Sequence, residues 1–223
     1  MSKYLTKWET AAAYNAAKDN LPTPQVAYIV ENNTVDYKPL VPTPPTPTAE
    51  TRVVATYYVE DTEEPTRMRI LYNTSNINSI EIDGTVISQV VSEYTFDTPG
   101  EHTVKYTLTD PTTIGNNFSV DEGLVSIDIP DSVTTIGPSP FSDSPLRTCI
   151  IGSGVTAINS YLFYNNAYMR SLTIKATTPP TIGDYLLGGE SSIEYIYVPS
   201  ESVNIYKEAE GWSDYADIIQ AIS

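Results

Sequence analysis

Basic residues, histidine and cysteine are all scarce in this chain. Its 223 residues carry 12 Lys and Arg against 28 Asp and Glu, a net charge of −16. Binding a nucleic-acid backbone needs a cationic face that displaces counterions, so that function class is excluded. An anionic membrane surface is disfavoured on the same ground. No run of about 18 apolar residues, the length that spans a bilayer, occurs in the sequence. The opening MSKYLTKWETAAAYNAAK has lysines but no apolar core behind them, so a secretory signal is not expected. The single cysteine, Cys149, cannot build an internal disulfide framework. With His102 the single histidine, most acid–base relays, triads and zinc sites lose their usual residue. Tyrosine, by contrast, supplies 17 of the 23 aromatic residues. Rich in Tyr, Thr, Ser and Pro and poor in Lys, the composition suggests a β-rich, extracytoplasmic or particle-surface protein rather than a metabolic enzyme. The length allows one or two compact units.

The clearest boundary is Pro39-Leu-Val-Pro-Thr-Pro-Pro-Thr-Pro-Thr48, with five prolines in ten residues. Proline fixes φ and has no N–H, so residues 39–50 are expected as an extended polyproline-II strut, a spacer rather than a PxxP ligand. Charge partitions across it. Residues 1–50 hold four basic and five acidic groups, residues 51–110 four and ten, and residues 111–223 four and thirteen. In the near-neutral first segment, Thr6-x-x-Glu9 is a capping-box pattern and predicts a helix from Lys7 to about Asn20, ending before Leu21-Pro22. Tyr4, Leu5, Trp8 and Ala12 would form its apolar stripe. Val26–Val30, Asn32-Asn33 and Thr34–Tyr37 read as a hairpin with an Asx turn. So small a unit buries too little surface alone. It packs either on its own chain or on a partner, and the proline strut favours the partner. Residues 1–38 are therefore expected to dock, through Tyr4, Leu5, Trp8, Tyr14, Tyr28, Val30 and Tyr37, and to self-associate as a dimer or trimer.

Residues 51–110 read as all-β, with strands at 52–59, 67–72, 77–82, 85–88 and 102–108 and turns at Asp83-Gly84 and Pro99-Gly100. Val104, Tyr106 and Leu108 alternate onto one face. Five strands in so short a stretch predict a small Ig-like β-sandwich. Thr98–Tyr106 also resembles the penultimate-strand corner of bacterial Ig-like modules.

The C-terminal half repeats. Leu124, Ile127, Ile129, Val133, Ile136 and Phe141 recur 22 residues later as Leu146, Cys149, Ile151, Val155, Ile158 and Phe163. A third copy starts near Met169, with Leu172, Ile174, Ile182 and Leu187, and a fourth at Ile193, with Ile196 and Val198. A half-copy, Thr113–Phe118, precedes the first. This is a solenoid pattern, in which each coil buries its apolar residues only by stacking on its neighbours. The twelve paired positions are the expected repeat core. The pattern L-x-x-I-x-I-P-x-x-V-x-x-I-G-x-x-x-F resembles the BspA-like leucine-rich repeat, over roughly residues 112–199. The third copy departs from it at Thr177-Thr-Pro-Pro180, where the coil is expected to be irregular. The tail resembles the family's C-terminal cap, with Val203, Tyr206 and Ala209, then Trp212, Tyr215 and Ile219, at helical spacing.

A second resemblance lies in the first segment. Tyr14–Glu31, followed by Val-Asp-Tyr, is similar to the start of virion proteins in tailed phages of gut bacteria, including crAss-like phages. That resemblance implies a virion protein, made in the host cytoplasm without a signal peptide and displayed on the virion surface, and the layout of a short anchor followed by modules favours a head fibre or capsid decoration. Its partners would be capsid or other virion proteins. A bacterial cell-surface adhesin of the same repeats and a tail-associated virion protein are the alternatives. The fold expected is mainly β: an N-terminal helix–hairpin docking segment (1–38), a proline strut (39–50), an Ig-like sandwich (51–110), a repeat solenoid (111–199) and a helical cap (200–223).

Candidate chemistry is thin. Cys149 falls on a repeat core position, equivalent to Ile127, Leu172 and Ile196, and reads as a buried structural thiol. His102 has no second ligand of its kind and reads as structural. The acidic loop Glu60-Asp61-Thr-Glu63-Glu64 lacks EF-hand spacing and reads as a solvated turn, with oxygen ligation of Ca²⁺ the sharper option. Among the many acids no carboxylate pair stands out for glycoside hydrolysis, and there is no Walker loop or G-x-G-x-x-G. Sequons begin at Asn32, Asn73 and Asn117. No catalysis, cofactor or metal is expected. Tyr161, Tyr164, Tyr168, Tyr185 and Tyr195 lie near the exposed repeat face. They either pack the solenoid or offer a surface for a bacterial-surface glycan or protein.

Overall fold

The computed structural model describes residues 5–8, 26–31, 34–39, 51–61, 64–188 and 193–222, the first three segments by backbone alone. The chain divides into two compact units, Met1–Thr48 and Ala49–Ser223.

In the first unit, β1 (Leu5–Trp8), β2 (Val26–Glu31) and β3 (Thr34–Pro39) form a sheet in that order. The expected hairpin is present: β2 and β3 pair antiparallel from Val26↔Pro39 to Glu31↔Thr34. The helical expectation is corrected at its start. Lys7 and Trp8 lie in β1, which pairs in parallel with β2 from Leu5↔Val26 to Trp8↔Ile29. A ladder of backbone hydrogen bonds to a distant strand outweighs a local capping signal of about 1 kcal/mol. The rest of that helix, with Tyr4, Ala12 and Tyr14, and the strut beyond Pro39 lie outside the described residues.

In the second unit the leading strands are β4 (Val53–Val59), β5 (Thr66–Arg69), β6 (Ile77–Ile82), β7 (Thr85–Val86), β8 (Glu93–Phe96) and β9 (Gly100–Leu108). The repeats follow as β10 (Thr113–Ile114), β11 (Leu124–Ile129), β12 (Thr135–Ile136), β13 (Thr148–Ile151), β14 (Ala157–Ile158), β15 (Phe163–Tyr164), β16 (Ser171–Ile174), β17 (Thr181–Ile182), β18 (Leu187–Gly188) and β19 (Tyr195–Val198). A 3₁₀ turn leads into α1 (Val203–Glu208), a second covers Ser213–Ile218, and β20 (Ile219–Ala221) ends the fold.

The 22-residue register becomes geometry directly. Ile127↔Cys149, Cys149↔Leu172 and Leu172↔Ile196 are parallel rungs of one ladder. Ile114↔Ile136, Ile136↔Ile158 and Ile158↔Ile182 are rungs of a second. Phe118, Phe141 and Phe163 follow one another from coil to coil, their ring centroids 6.2 and 5.9 Å apart. All twelve expected core positions are buried, none more than 2% exposed. A Cβ on Gly154 would sit 2.0 Å from the Asp131 carbonyl oxygen, so glycine is what lets those two coils approach.

The Ig-like expectation is corrected in its independence. The strands are near their expected positions, with β8 added, but β4 pairs antiparallel with β9 on one side and with β11 on the other. Among the described residues one sheet runs β20-β19-β16-β13-β11-β4-β9-β6-β7, continuous across the expected boundary at 110/111. β11 would otherwise leave its backbone edge open, and β4 closes it. Apolar residues from Val53 to Ile219 form one core. Its front is pinned by Tyr57 and Tyr106, whose hydroxyls both donate to the Ile70 carbonyl, at 2.7 and 2.9 Å.

The cap differs too. The helical spacing ends before Ile219, because β20 takes the open edge of β19 through Ile196↔Ile219. The third coil keeps its rung at Ala157↔Thr181 despite Thr177–Pro180. That stretch is where the cap docks. The carbonyls of Ala176, Thr177 and Pro180 accept hydrogen bonds from Tyr206 Oη, Ser202 Oγ and Trp212 Nε1, at 2.9, 2.8 and 2.8 Å.

Candidate functional site

Of the five tyrosines singled out on the repeat face, all are 38–63% exposed, so none is a core residue. Three converge. Tyr161 precedes β15, Tyr164 ends it, and Tyr185 precedes β18, the strand that stacks on β15 in parallel. The rings of Tyr161 and Tyr185 stack nearly parallel, their centroids 5.4 Å apart and their planes at 12°. Tyr164 meets Tyr161 edge-on, at 5.6 Å and 84°. With Ser139 and Gly188 they line an open groove of about 560 Å³. Tyr168 lies instead in the exposed turn before β16, and Tyr195 stacks on Tyr197 of β19 at 5.9 Å.

Backbone ties between coils set the groove. The Tyr161 N–H donates to the carbonyls of Asp184 and Tyr185, at 3.2 and 3.1 Å, and the Ser139 N–H to Ser160, at 3.1 Å. The Asp143 N–H donates to Tyr164 and the Asn165 N–H to Gly188, at 2.9 and 3.0 Å. Beside them the Asn165 amide donates to Asp143 at 2.9 Å. Tyr164 can lie over Gly188 only because a Cβ there would meet its ring at 2.8 Å. Sequence reasoning missed Ser139 and Gly188. Ser139 was legible in principle, since it stands 22 residues before Tyr161.

A second concavity, about 420 Å³, opens where β4 and β11 shift register, lined by Tyr58, Glu60, Met68, Glu122 and Arg147 among others. Its charges are mixed and its floor is occupied, since Met68 packs onto Gly123 where a Cβ would be.

The titratable candidates fall outside both. Cys149 is buried, and burial first, with the Asp128 charge second, pushes its thiol far up, away from nucleophilic range. His102 is 7% exposed inside β9. Its Nδ1 is 2.7 Å from Asp83 Oδ2, its Nε2 is 2.9 Å from the Thr98 carbonyl, and its ring lies 4.5 Å from Phe96. With acceptors at both nitrogens, the ring donates from both when it is protonated and so ties two turns together. Among the described residues no cluster of three His, Cys, Asp or Glu side chains is placed to hold a metal. Of the acidic loop 60–64, residues 62–63 lie outside the described residues. No described helix is long and apolar enough to cross a membrane. The docking candidates Leu5, Trp8, Tyr28, Val30 and Tyr37 fall on β1, β2 and β3.

The sequence model of the BspA type leucine rich repeat region, in six copies, matches residues 91–210. It begins within the leading strands and ends in the cap, consistent with a sheet that has no break at 110/111. No curated protein sequence matches the chain. With the stacked rungs in place and more than half of the chain inside that family model, the protein belongs to the BspA-type leucine-rich repeat family.

Proposed function

We propose that the protein is a non-catalytic attachment protein of a tailed-phage virion, a head fibre or capsid decoration. In this reading residues 1–38 join the particle as a dimer or trimer, and residues 51–223 display the repeat face to a bacterial surface. The observation that carries it is the division of the chain into a small unit and a much larger repeat-bearing unit at residues 48/49. The similarity of Tyr14–Tyr37 to the start of virion proteins supports a particle as the assembly joined. Family membership favours a second reading, a bacterial cell-surface adhesin.

Mass spectrometry of purified particles and of bacterial envelope fractions tests both. The full chain is expected in particles, and a variant lacking residues 1–38 is expected to stay soluble, folded and unattached. Truncated protein on particles at normal copy number would overturn the anchor. Full-length protein in envelopes but not in particles would move the assignment to the adhesin.

A further inference from the structure

The repeat places one residue per coil in the left-handed region at one spot: Ser139, Tyr161 and Tyr185, with φ of 51°, 63° and 57°. That conformation disfavours any residue with a Cβ and is most strained for bulky ones, while glycine and asparagine tolerate it. Core packing does not explain the choice of tyrosine, because the Tyr185 residue is 62% exposed. Yet two successive coils carry tyrosine there, ring against ring, on the wall of a groove. Backbone strain kept at an exposed aromatic pair marks a surface retained for contact.

The chemistry of the lining narrows the contact. Ser139, Tyr161, Tyr164, Tyr185 and Gly188 include no charged group. The walls are aromatic faces edged by phenol and serine hydroxyls, each able both to donate and to accept. Neighbouring carboxylates in the sequence, Asp143 and Asp184 among them, and the net charge of −16 repel a sulfated, phosphorylated or sialylated chain. A cationic peptide finds no carboxylate in the lining to pair with. A sugar ring presents a flat C–H face to stack on tyrosine and a belt of hydroxyls to meet the rim. We propose that the Tyr161–Tyr164–Tyr185 groove binds an uncharged polysaccharide, the sugar rings lying on the stacked pair. This names the ligand class for the attachment reading and rests on it.

The test is native affinity electrophoresis of the full chain through gels containing dextran, an α-mannan or a mixed-linkage β-glucan, with dextran sulfate as the anionic arm. Retardation is expected in at least one neutral gel and not in dextran sulfate. The double variant Tyr161→Asn/Tyr185→Asn suits the left-handed backbone, so its melting midpoint is expected to stay within a few degrees of the parent. Its apparent affinity is expected to fall about tenfold or more, the loss anticipated for removing stacked aromatic surface. Tyr185→Phe, which keeps the ring, is expected to retain most of the binding. No retardation in any neutral gel overturns the proposal. So does retardation unchanged in the double variant, or retardation strongest in dextran sulfate. Particle and envelope association is read separately through the residue 1–38 deletion. Its failure overturns the attachment reading alone, and absence of retardation of the parent protein in every neutral gel, with association intact, overturns the groove alone.

Discussion

The residues that depart from local preference are the informative ones. A tyrosine at φ near +60° costs on the order of 1–3 kcal/mol, and the chain bears that twice on one face, at Tyr161 and Tyr185. Asp83 and Gly84, at φ 48° and 82°, are the opposite case, a two-residue hairpin turn whose residues suit it. Asp83 then holds His102 and also accepts the Thr103 N–H, at 2.9 Å. Burial is the largest single influence on His102 and by itself lowers its pKa. The Asp83 and Thr98 hydrogen bonds and the Asp83 charge outweigh it, so the value lies above the ordinary 6.5. For Asp83, burial, again the largest influence, raises the value. The His102 hydrogen bond and charge and the Thr103 N–H outweigh it and bring the carboxyl below its ordinary 3.8. A raised histidine stabilises fully below 6.5 and loses that contribution as pH climbs through its folded value. A lowered carboxylate stabilises above 3.8 and loses it as pH falls. The pair is therefore worth most between those values. Urea denaturation is expected to find His102→Gln more destabilising at about pH 5 than at about pH 8.5. An equal or larger loss at the higher pH would sink this account.

At the scale of the element, the coil is the unit of stability. β13 sits between β11 and β16, so each of its inward side chains touches coils on both sides. Ile151 is fully buried, while Thr148 is half-buried at the strand's start. Truncating Ile151 to alanine is expected to cost about 2–5 kcal/mol, a fall of roughly 5–15 °C in the melting midpoint of a unit this size. Thr148→Ala is expected to change the midpoint little. Thiol labelling of the native protein is expected to leave Cys149, one rung from Ile127 and Leu172, unmodified. Rapid labelling, or equal losses for Ile151→Ala and Thr148→Ala, would contradict the register. The rungs were legible in the sequence because the fixed 22-residue spacing stacks equal positions whatever the rest of the chain does. The third coil's departure was legible as well, but its cause was not. Thr177–Pro180 breaks the pattern where carbonyls must face Ser202, Tyr206 and Trp212, partners more than twenty residues away.

For the whole molecule, one core running from Val53 to Ile219 implies that residues 49–223 melt as one cooperative body. Expressed alone, they are expected to show a single calorimetric transition within a few degrees of that of the full chain. Two separated transitions, or a midpoint lower by about 10 °C or more, would refute this. The sequence by itself determined the acidic balance, the place of the division near the prolines, the repeat and its inward residues. Each of these rests on composition or on local spacing. Only the tertiary structure decided that Leu5–Trp8 is a strand, that β4 closes the edge of β11, that β20 closes the edge of β19, and that three of five tyrosines meet. Strand pairing is a contest among backbone edges far apart in the chain. A period-two pattern says which face of a strand is buried, never which neighbour lies beside it.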